Sequence, residues 1–234
     1  MPDQFKLQIY ITRHGESQGN VPSPPGEKKR ETTPAEMHDP ELTALGQQQA
    51  VCLGERLQLQ KFDAIFSSTL IRAVLTAHET AIRQPGGAMP IELIRDLVET
   101  GTPWDYTGYT TAQIENRGSQ VLSHGFIKKD ATHWAAAEKT DEQEAHLNRA
   151  RCCIDYFKNR FQQGEKILVV AHGSFNTYLI RAALSLNNTN SFNFCQENTA
   201  LTKVKYFLDG EARLSYANDT SHLYAENGHL TFSL

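Results

Sequence analysis

Ile167, Leu168, Val169, Val170 and Ala171 form an unbroken apolar run that stops abruptly at His172-Gly173. A run of that length without alternation suits a strand covered on both faces, and such strands belong to parallel sheets packed between helices. Residues 6–12 mix Leu, Ile and Tyr in a second short apolar stretch, which opens into Arg13-His14-Gly15. The chain therefore carries two predicted strands that each end in a histidine followed by a glycine.

Helical and strand patterns alternate between these two points. Thr43 is placed to cap a helix over 43–60, with Leu45, Val51, Cys52, Leu53 and Leu57 supplying its buried face. A strand is predicted over 63–67, a helix over 69–83, and a further strand over 91–93 after the turn formed by Pro85-Gly86-Gly87. Residues 141–161 have the apolar spacing of a long amphipathic helix stopped by Gly164, and 175–184 read as another helix. Strands over 200–208 and 212–217 follow. Residues 21–40 contain five prolines and the charged cluster Glu27-Lys28-Lys29-Arg30-Glu31, the composition of an irregular surface loop. Residues 101–140 scatter aromatics, Gly and Pro around one short helix near 110–116, and read as an inserted cap. The alternation predicts an α/β three-layer sandwich, a largely parallel sheet flanked by helices, in a single domain over 1–234 with the cap insertion at about 101–140. No internal repeat or low-complexity tract interrupts it.

At 234 residues, 39% hydrophobic and 21% charged, the chain has the make-up of an ordinary globular protein. A formal charge of −4 argues against nucleic acid or an anionic membrane as partner, so an anion would have to be captured locally. There is no basic segment leading into a long apolar stretch at the start and no run of about 18 apolar residues, which points to a cytosolic protein. Cys52, Cys152, Cys153 and Cys195 lack both CxxC spacing and the density of a disulfide scaffold, so reduced core thiols are expected. No feature sets an oligomeric state.

The chemistry lies at the strand ends. Arg13, His14, Arg72 and His172 each fall at or just after the carboxyl end of a predicted strand, where open α/β sheets gather their ligands. Two guanidinium forks and two imidazoles match the charge and oxygen geometry of a phosphoryl group. Gly15 and Gly173 would let the backbone approach closely, which makes Gly173 a candidate phosphate-binding position. A metal centre on His14 and His172 is the competing reading, but the chain has no HExxH, no HxH pair and no Asp cluster at ligand spacing. His124, His133 and His146 are read as exposed.

In these blocks the chain resembles the histidine phosphatase superfamily, whose hallmark is an Arg-His-Gly tripeptide, here Arg13-His14-Gly15. The resemblance runs on through Glu16-Ser17 and Asn20, Leu42-Thr43 with Gly46 and Gln49-Ala50, Ser67-Ser68, Arg72-Ala73, Thr76-Ala77, Leu97 and Glu99, and ends at His172-Gly173. It implies a phosphatase that hydrolyses small phosphorylated substrates, phosphomonoesters, with neither cofactor nor metal. His14 would be the nucleophile that is transiently phosphorylated, with its second ring nitrogen protonated against an acceptor. Arg13, Arg72 and His172 would hold the equatorial oxygens, and Asn20 would add a further phosphate-pocket donor.

Glu99 resembles the residue that protonates the leaving oxygen and later activates water. Glu16, Glu92 and Asp96 are its neighbours in sequence. Glu99 is preferred because it completes the family's L-x-E pattern from Leu97, and because Asp96 would face the other way if the segment were extended. Glu16 is read as structural. The Trp- and Gly-containing stretches of phosphoglycerate mutases are replaced here by the Pro-rich loop and by Gly101-Thr102-Pro103-Trp104-Asp105. A phosphatase is therefore favoured over a phosphoglycerate-type mutase, with a catalytically silent phospho-ligand-binding module as a third reading.

Overall fold

The computed structural model describes residues 5–21, 39–102, 109–117, 121–123, 142–188 and 193–224. Its centre is a seven-stranded sheet in the order β4-β3-β2-β5-β1-β6-β7. The strands are β1 (Phe5–Arg13), β2 (Ala64–Ser68), β3 (Ile91–Ile94), β4 (Val121–Ser123), β5 (Glu165–Ala171), β6 (Leu201–Phe207) and β7 (Ala212–Asp219). The helices are α1 (Ala44–Leu57), α2 (Ile71–Ala81), α3 (Thr111–Glu115), α4 (Glu142–Arg160) and α5 (Gly173–Ala183). Pairings from β4 across to β1 are parallel, while β1–β6 and β6–β7 are antiparallel. The expected α/β architecture is present, with an antiparallel pair at one edge.

Alternation along the central strands divides the core into two layers. Leu7, Ile9, Ile11, Phe66, Ile167 and Val169 pack with Leu147, Ile154 and Phe157 of α4 and Phe175 and Leu179 of α5. Tyr10, Ile65, Ile91, Leu168 and Val170 face the other way, against Leu53 and Leu57 of α1 and Ile71, Val74 and Ala77 of α2. Both layers bury β5, which is why its sequence shows no polar alternation. Thr43 caps α1 as expected, its side chain accepting from the Gly46 N–H at 3.0 Å.

Several expectations need correction. Residues 121–123, inside the stretch read as a cap, form the edge strand β4 paired with β3, and the short helix expected near 110–116 is α3; residues 103–108, 118–120 and 124–141 lie outside the described residues. So do residues 22–38 with Lys28, Lys29 and Arg30, and His124 and His133. The surface-loop reading fails at the end of that loop, where Asp39 is 1% exposed. His146, expected on the surface, is buried against the Tyr178 ring with centroids 5.4 Å apart. All four cysteines are free, but only Cys153 is a core thiol and Cys195 is exposed.

Backbone contact between α1 and α2 sets how tightly that layer closes. A Cβ on Gly54 would stand 2.4 Å from the carbonyl oxygen of Glu79. In an exposed helix Gly→Ala is worth roughly 1 kcal/mol of stabilisation through propensity, but here the colliding group is backbone and cannot swing aside. Gly54→Ala is therefore expected to destabilise the protein by about 1–3 kcal/mol, the usual cost of overpacking. A urea midpoint that rises in the variant would overturn this account of the α1–α2 contact.

Candidate active site

The site is assembled by strand register. Arg13 at the end of β1 is paired with Ala171 at the end of β5, so His14 and His172 emerge side by side. Their rings lie 5.1 Å apart between centroids, tilted by 59°. On the other side of β5, Ser67 is paired with Val170, so β2 delivers Ser68 next to His172 and then turns into α2 with Arg72 in its first turn. The 3-10 turn Arg95–Leu97 follows β3 and leads to Glu99.

His14 occupies the loop after β1 but is 3% exposed. Its backbone N–H donates to the Ala171 carbonyl at 3.0 Å, extending the β1–β5 ladder by one residue. Its ring tautomer follows from its neighbours. Nδ1 lies 2.6 Å from the Gly15 carbonyl, which can only accept, and Nε2 receives the Arg72 Nε–H at 3.3 Å. Nδ1 therefore carries the proton, and Nε2 presents its lone pair to the Arg72 guanidinium. Burial lowers the His14 pKa well below 6.5, reinforced by the Arg72 and Arg13 charges against the opposing hydrogen bond to Gly15. A neutral imidazole whose Nε2 carries no proton and stands beside two cations has the chemistry of a nucleophile for an anionic electrophile.

The other candidates are held by equally specific contacts. Arg72, 7% exposed, is paired at 3.4 Å with Asp39, whose carboxylate also accepts the Ile71 N–H that opens α2. Arg13 donates from Nη1 to the Gln196 carbonyl at 3.0 Å and lies against Gly173, where an added Cβ would sit 3.3 Å from Nε. The close approach at Gly173 is thus to the arginine side chain. Gly15 serves a different contact, since a Cβ there would be 2.4 Å from the Gly46 carbonyl oxygen. His172 is fully buried and 2.8 Å from the Ser68 hydroxyl through Nε2, while Nδ1 makes no hydrogen bond among the described residues. Burial, then the charge of Arg72 and its other basic neighbours, lowers its pKa well below 6.5 as well.

Glu99 sits at the N-terminus of α5, where its carboxylate accepts the N–H groups of Ser174 at 3.2 Å and Phe175 at 2.9 Å. Because residues 95–97 form a helical turn, the alternation used to set Asp96 aside does not apply. Contacts separate the acids instead. Glu92 is committed to a bidentate pair with Arg160, Glu16 accepts from the Thr43 hydroxyl at 2.7 Å, and Asp96 is 4% exposed beneath the loop. Glu99 lines the same cavity as Arg13, Asn20 and Gly173, a space of about 780 Å³. Asn20 reaches that cavity, but its Oδ1 is occupied by the Ser17 N–H and hydroxyl.

Sequence reading missed the groups behind these residues. Asn198 donates from Nδ2 to the His14 carbonyl at 2.9 Å, and the Thr199 N–H donates to the Arg13 carbonyl at 3.0 Å. Thr76 accepts the Gly15 N–H at 3.0 Å. Buried Arg149 donates to the Asp96 and Val98 carbonyls at 3.3 and 2.9 Å and stacks 3.9 Å over Phe175, bracing the loop that carries Glu99. Thr76 falls within the motif blocks; the others give no local signal, since each acts through a contact distant in sequence. Among the described residues, no three His, Cys, Asp or Glu side chains converge as a metal site, and no helix is long and apolar enough to cross a membrane.

Comparison with known proteins agrees with this geometry. Over 224 residues the chain is 27% identical to a probable phosphoglycerate mutase of Citrobacter koseri, covering 94% of this chain and 96% of the relative. It is 28% identical to a 2,3-bisphosphoglycerate-dependent phosphoglycerate mutase of Cytophaga hutchinsonii, over 71% of this chain and 72% of the other. Among solved structures, an Entamoeba histolytica phosphoserine phosphatase variant with bound phosphoserine superposes with a TM-score of 0.59 at 23% identity, covering 93% of this chain and 99% of that one. A mycobacterial glucosyl-3-phosphoglycerate phosphatase gives 0.59 at 23% identity, over 90% and 98% of the two chains. At those identities the two structures speak to the fold alone. The family model for branch 1 of the histidine phosphatase superfamily matches residues 9–220, and with the Arg13-His14-Gly15 loop paired to His172 the chain belongs to that superfamily.

Proposed function

We propose that the protein is a phosphatase that hydrolyses small phosphomonoesters through a phosphohistidine on His14. The observation that carries this reading is the state of His14: Nδ1 protonated on the Gly15 carbonyl, Nε2 unprotonated beside Arg72, and the whole ring buried. In the first step Nε2 attacks phosphorus as the P–O bond to the leaving group breaks, and Glu99 delivers a proton to the departing oxygen. In the second, Glu99 takes a proton from water as the water oxygen attacks phosphorus and the P–N bond breaks, releasing phosphate and restoring His14. Arg13, Arg72 and the free Nδ1 of His172 hold the phosphoryl oxygens, with Ser68 as the hydroxyl that orients His172. Gly173 permits Arg13 its position, and Asn20 contributes from the cavity rim. Positive charge comes from arginine, the task metal ions perform in other phosphatases. The full chain is read as one domain and the protein as cytosolic.

The curated relatives carry mutase names, and a mutase would use the same phosphohistidine. Release of inorganic phosphate without added bisphosphoglycerate separates the two reactions, and turnover of any phosphomonoester disposes of a silent binding module.

His14→Ala should lower kcat by at least about 10³-fold, as loss of a nucleophile does. Rapid quenching of the wild type with labelled substrate should trap an acid-labile, base-stable phosphoenzyme. Near-normal turnover in the variant would end the nucleophile assignment. Because burial and two arginines depress the His14 pKa, the ring stays neutral as pH falls through 6.5 and protonates only below it. Long-range ¹H–¹⁵N spectra should therefore show a neutral Nδ1–H tautomer at pH 6.5, where an ordinary imidazole is half protonated; a titration midpoint near 6.5 would contradict the burial argument. For Glu99→Gln, single-turnover phosphorylation by an alkyl phosphate should slow by roughly 10²–10⁴-fold, and much less with p-nitrophenyl phosphate, whose leaving group needs no proton. Equal losses for both would make Glu99 a positioning residue.

A further inference from the structure

The cavity beyond the two histidines contains a second carboxylate that the proposed reaction does not use. Glu197 lines it together with Arg13 and Glu99. Its backbone has little freedom. The flanking segment is pinned by Thr177 to the Phe194 carbonyl, by Asn176 to the Gln196 side chain, by Arg13 to the Gln196 carbonyl, and by the Glu197 N–H to Asn218 at 2.8 Å. Asn198 and Thr199 then tie the same segment to the carbonyls of His14 and Arg13. Despite this anchoring, Glu197 Oε2 is shielded from solvent and makes no hydrogen bond among the described residues. An acceptor held rigidly at a cavity wall with an unused oxygen is suited to a donor brought by a ligand.

The charges of the wall restrict what that ligand can be. Glu99 and Glu197 both act on Arg13, raising a pKa that burial lowers, so both carboxylates lie close to the phosphate-facing end of the cavity. A leaving group bearing its own carboxylate or second phosphate would meet two like charges there. An ammonium group drawn to those carboxylates would also meet Arg181, which lines the same cavity and is itself anchored to the Asn187 carbonyl at 2.7 Å, so that Arg13 and Arg181 balance Glu99 and Glu197 and leave the lining suited to a neutral group. Much of the remaining lining is neutral hydroxyl and amide, as at Ser174 and Asn193, and a volume of about 780 Å³ admits a group the size of a sugar.

We propose that Glu197 is a specificity-determining residue that accepts hydroxyl hydrogens from a neutral, polyhydroxylated leaving group such as a sugar and disfavours leaving groups carrying a further anion. The inference rests on the phosphatase reading of the site and adds the substrate class. Wild-type protein should be assayed on glucose 6-phosphate, 3-phosphoglycerate, phosphoethanolamine and p-nitrophenyl phosphate. The kcat/KM for the sugar phosphate is expected to exceed those for 3-phosphoglycerate and phosphoethanolamine by about tenfold or more. Glu197→Gln should shift the ratio of 3-phosphoglycerate to glucose 6-phosphate by about tenfold towards 3-phosphoglycerate, whereas Glu197→Asp, which keeps the charge, should retain the wild-type order. Wild-type preference for 3-phosphoglycerate or phosphoethanolamine would overturn the proposal. So would an equal loss on all four substrates in Glu197→Gln, which would make Glu197 a support for Arg13. Turnover of p-nitrophenyl phosphate tests the phosphatase reading independently, and failure on all four substrates would remove that reading and this one together.

Discussion

The site depends on the parallel pairing of β1 with β5. Hydrogen bonding of two strands in register aligns Arg13 with Ala171, and the ladder continues for one more bond, from the His14 N–H to the Ala171 carbonyl. The two histidines are thereby placed in ring contact without either side chain having to reach. Parallel strands cannot be joined by a tight turn, so the intervening chain must cross over through helices. Of the helices in that crossover, α1 and α2 pack on one face of β5 and α4 on the other. The same topology that requires the crossover buries both histidines.

Burial determines the electrostatics of the site. A buried imidazole beside guanidinium groups is costly to protonate, so His14 and His172 are held neutral. The arginines face the opposite problem, because a buried cation without partners costs several kcal/mol. Asp39 meets Arg72 directly, while Arg13 relies on the Gln196 carbonyl and on the nearby Glu99 and Glu197 charges. On the proposed reading, a phosphate dianion supplies the charge that these partial compensations leave open.

The superfamily assignment leaves substrate choice to the walls of the cavity. Solved proteins of the same fold are named for phosphoserine and for glucosyl-3-phosphoglycerate, substrates whose leaving groups differ in charge and size. One fold can carry such different substrates, since fold and leaving-group recognition are carried by different residues. In this chain the segment Phe194 to Thr199 serves both ends: Asn198 and Thr199 brace the loop of His14, and Glu197 faces the cavity.

Local pattern alone was enough to read Arg13-His14-Gly15, the apolar run before His172, the cap at Thr43 and most helix and strand positions, because each depends on residues close in sequence. The edge strand β4 escaped notice, being three residues long and recognisable only through its pairing with β3. Glu99, expected as the general acid, lines the cavity, but the alternation argument against Asp96 does not apply, since residues 95–97 turn helically and the N-terminus of α5 is what holds the Glu99 carboxylate. Asp39 looked like the end of a solvated loop, and His146 and Cys195 were assigned to the wrong environments. Period and motif thus determine the layers, the strand ends and the residues that gather there. Tertiary structure alone decided which carboxylate meets which arginine, which tautomer His14 adopts and what lines the cavity, because burial and hydrogen bonding between distant segments exist only once the sheet has brought them together.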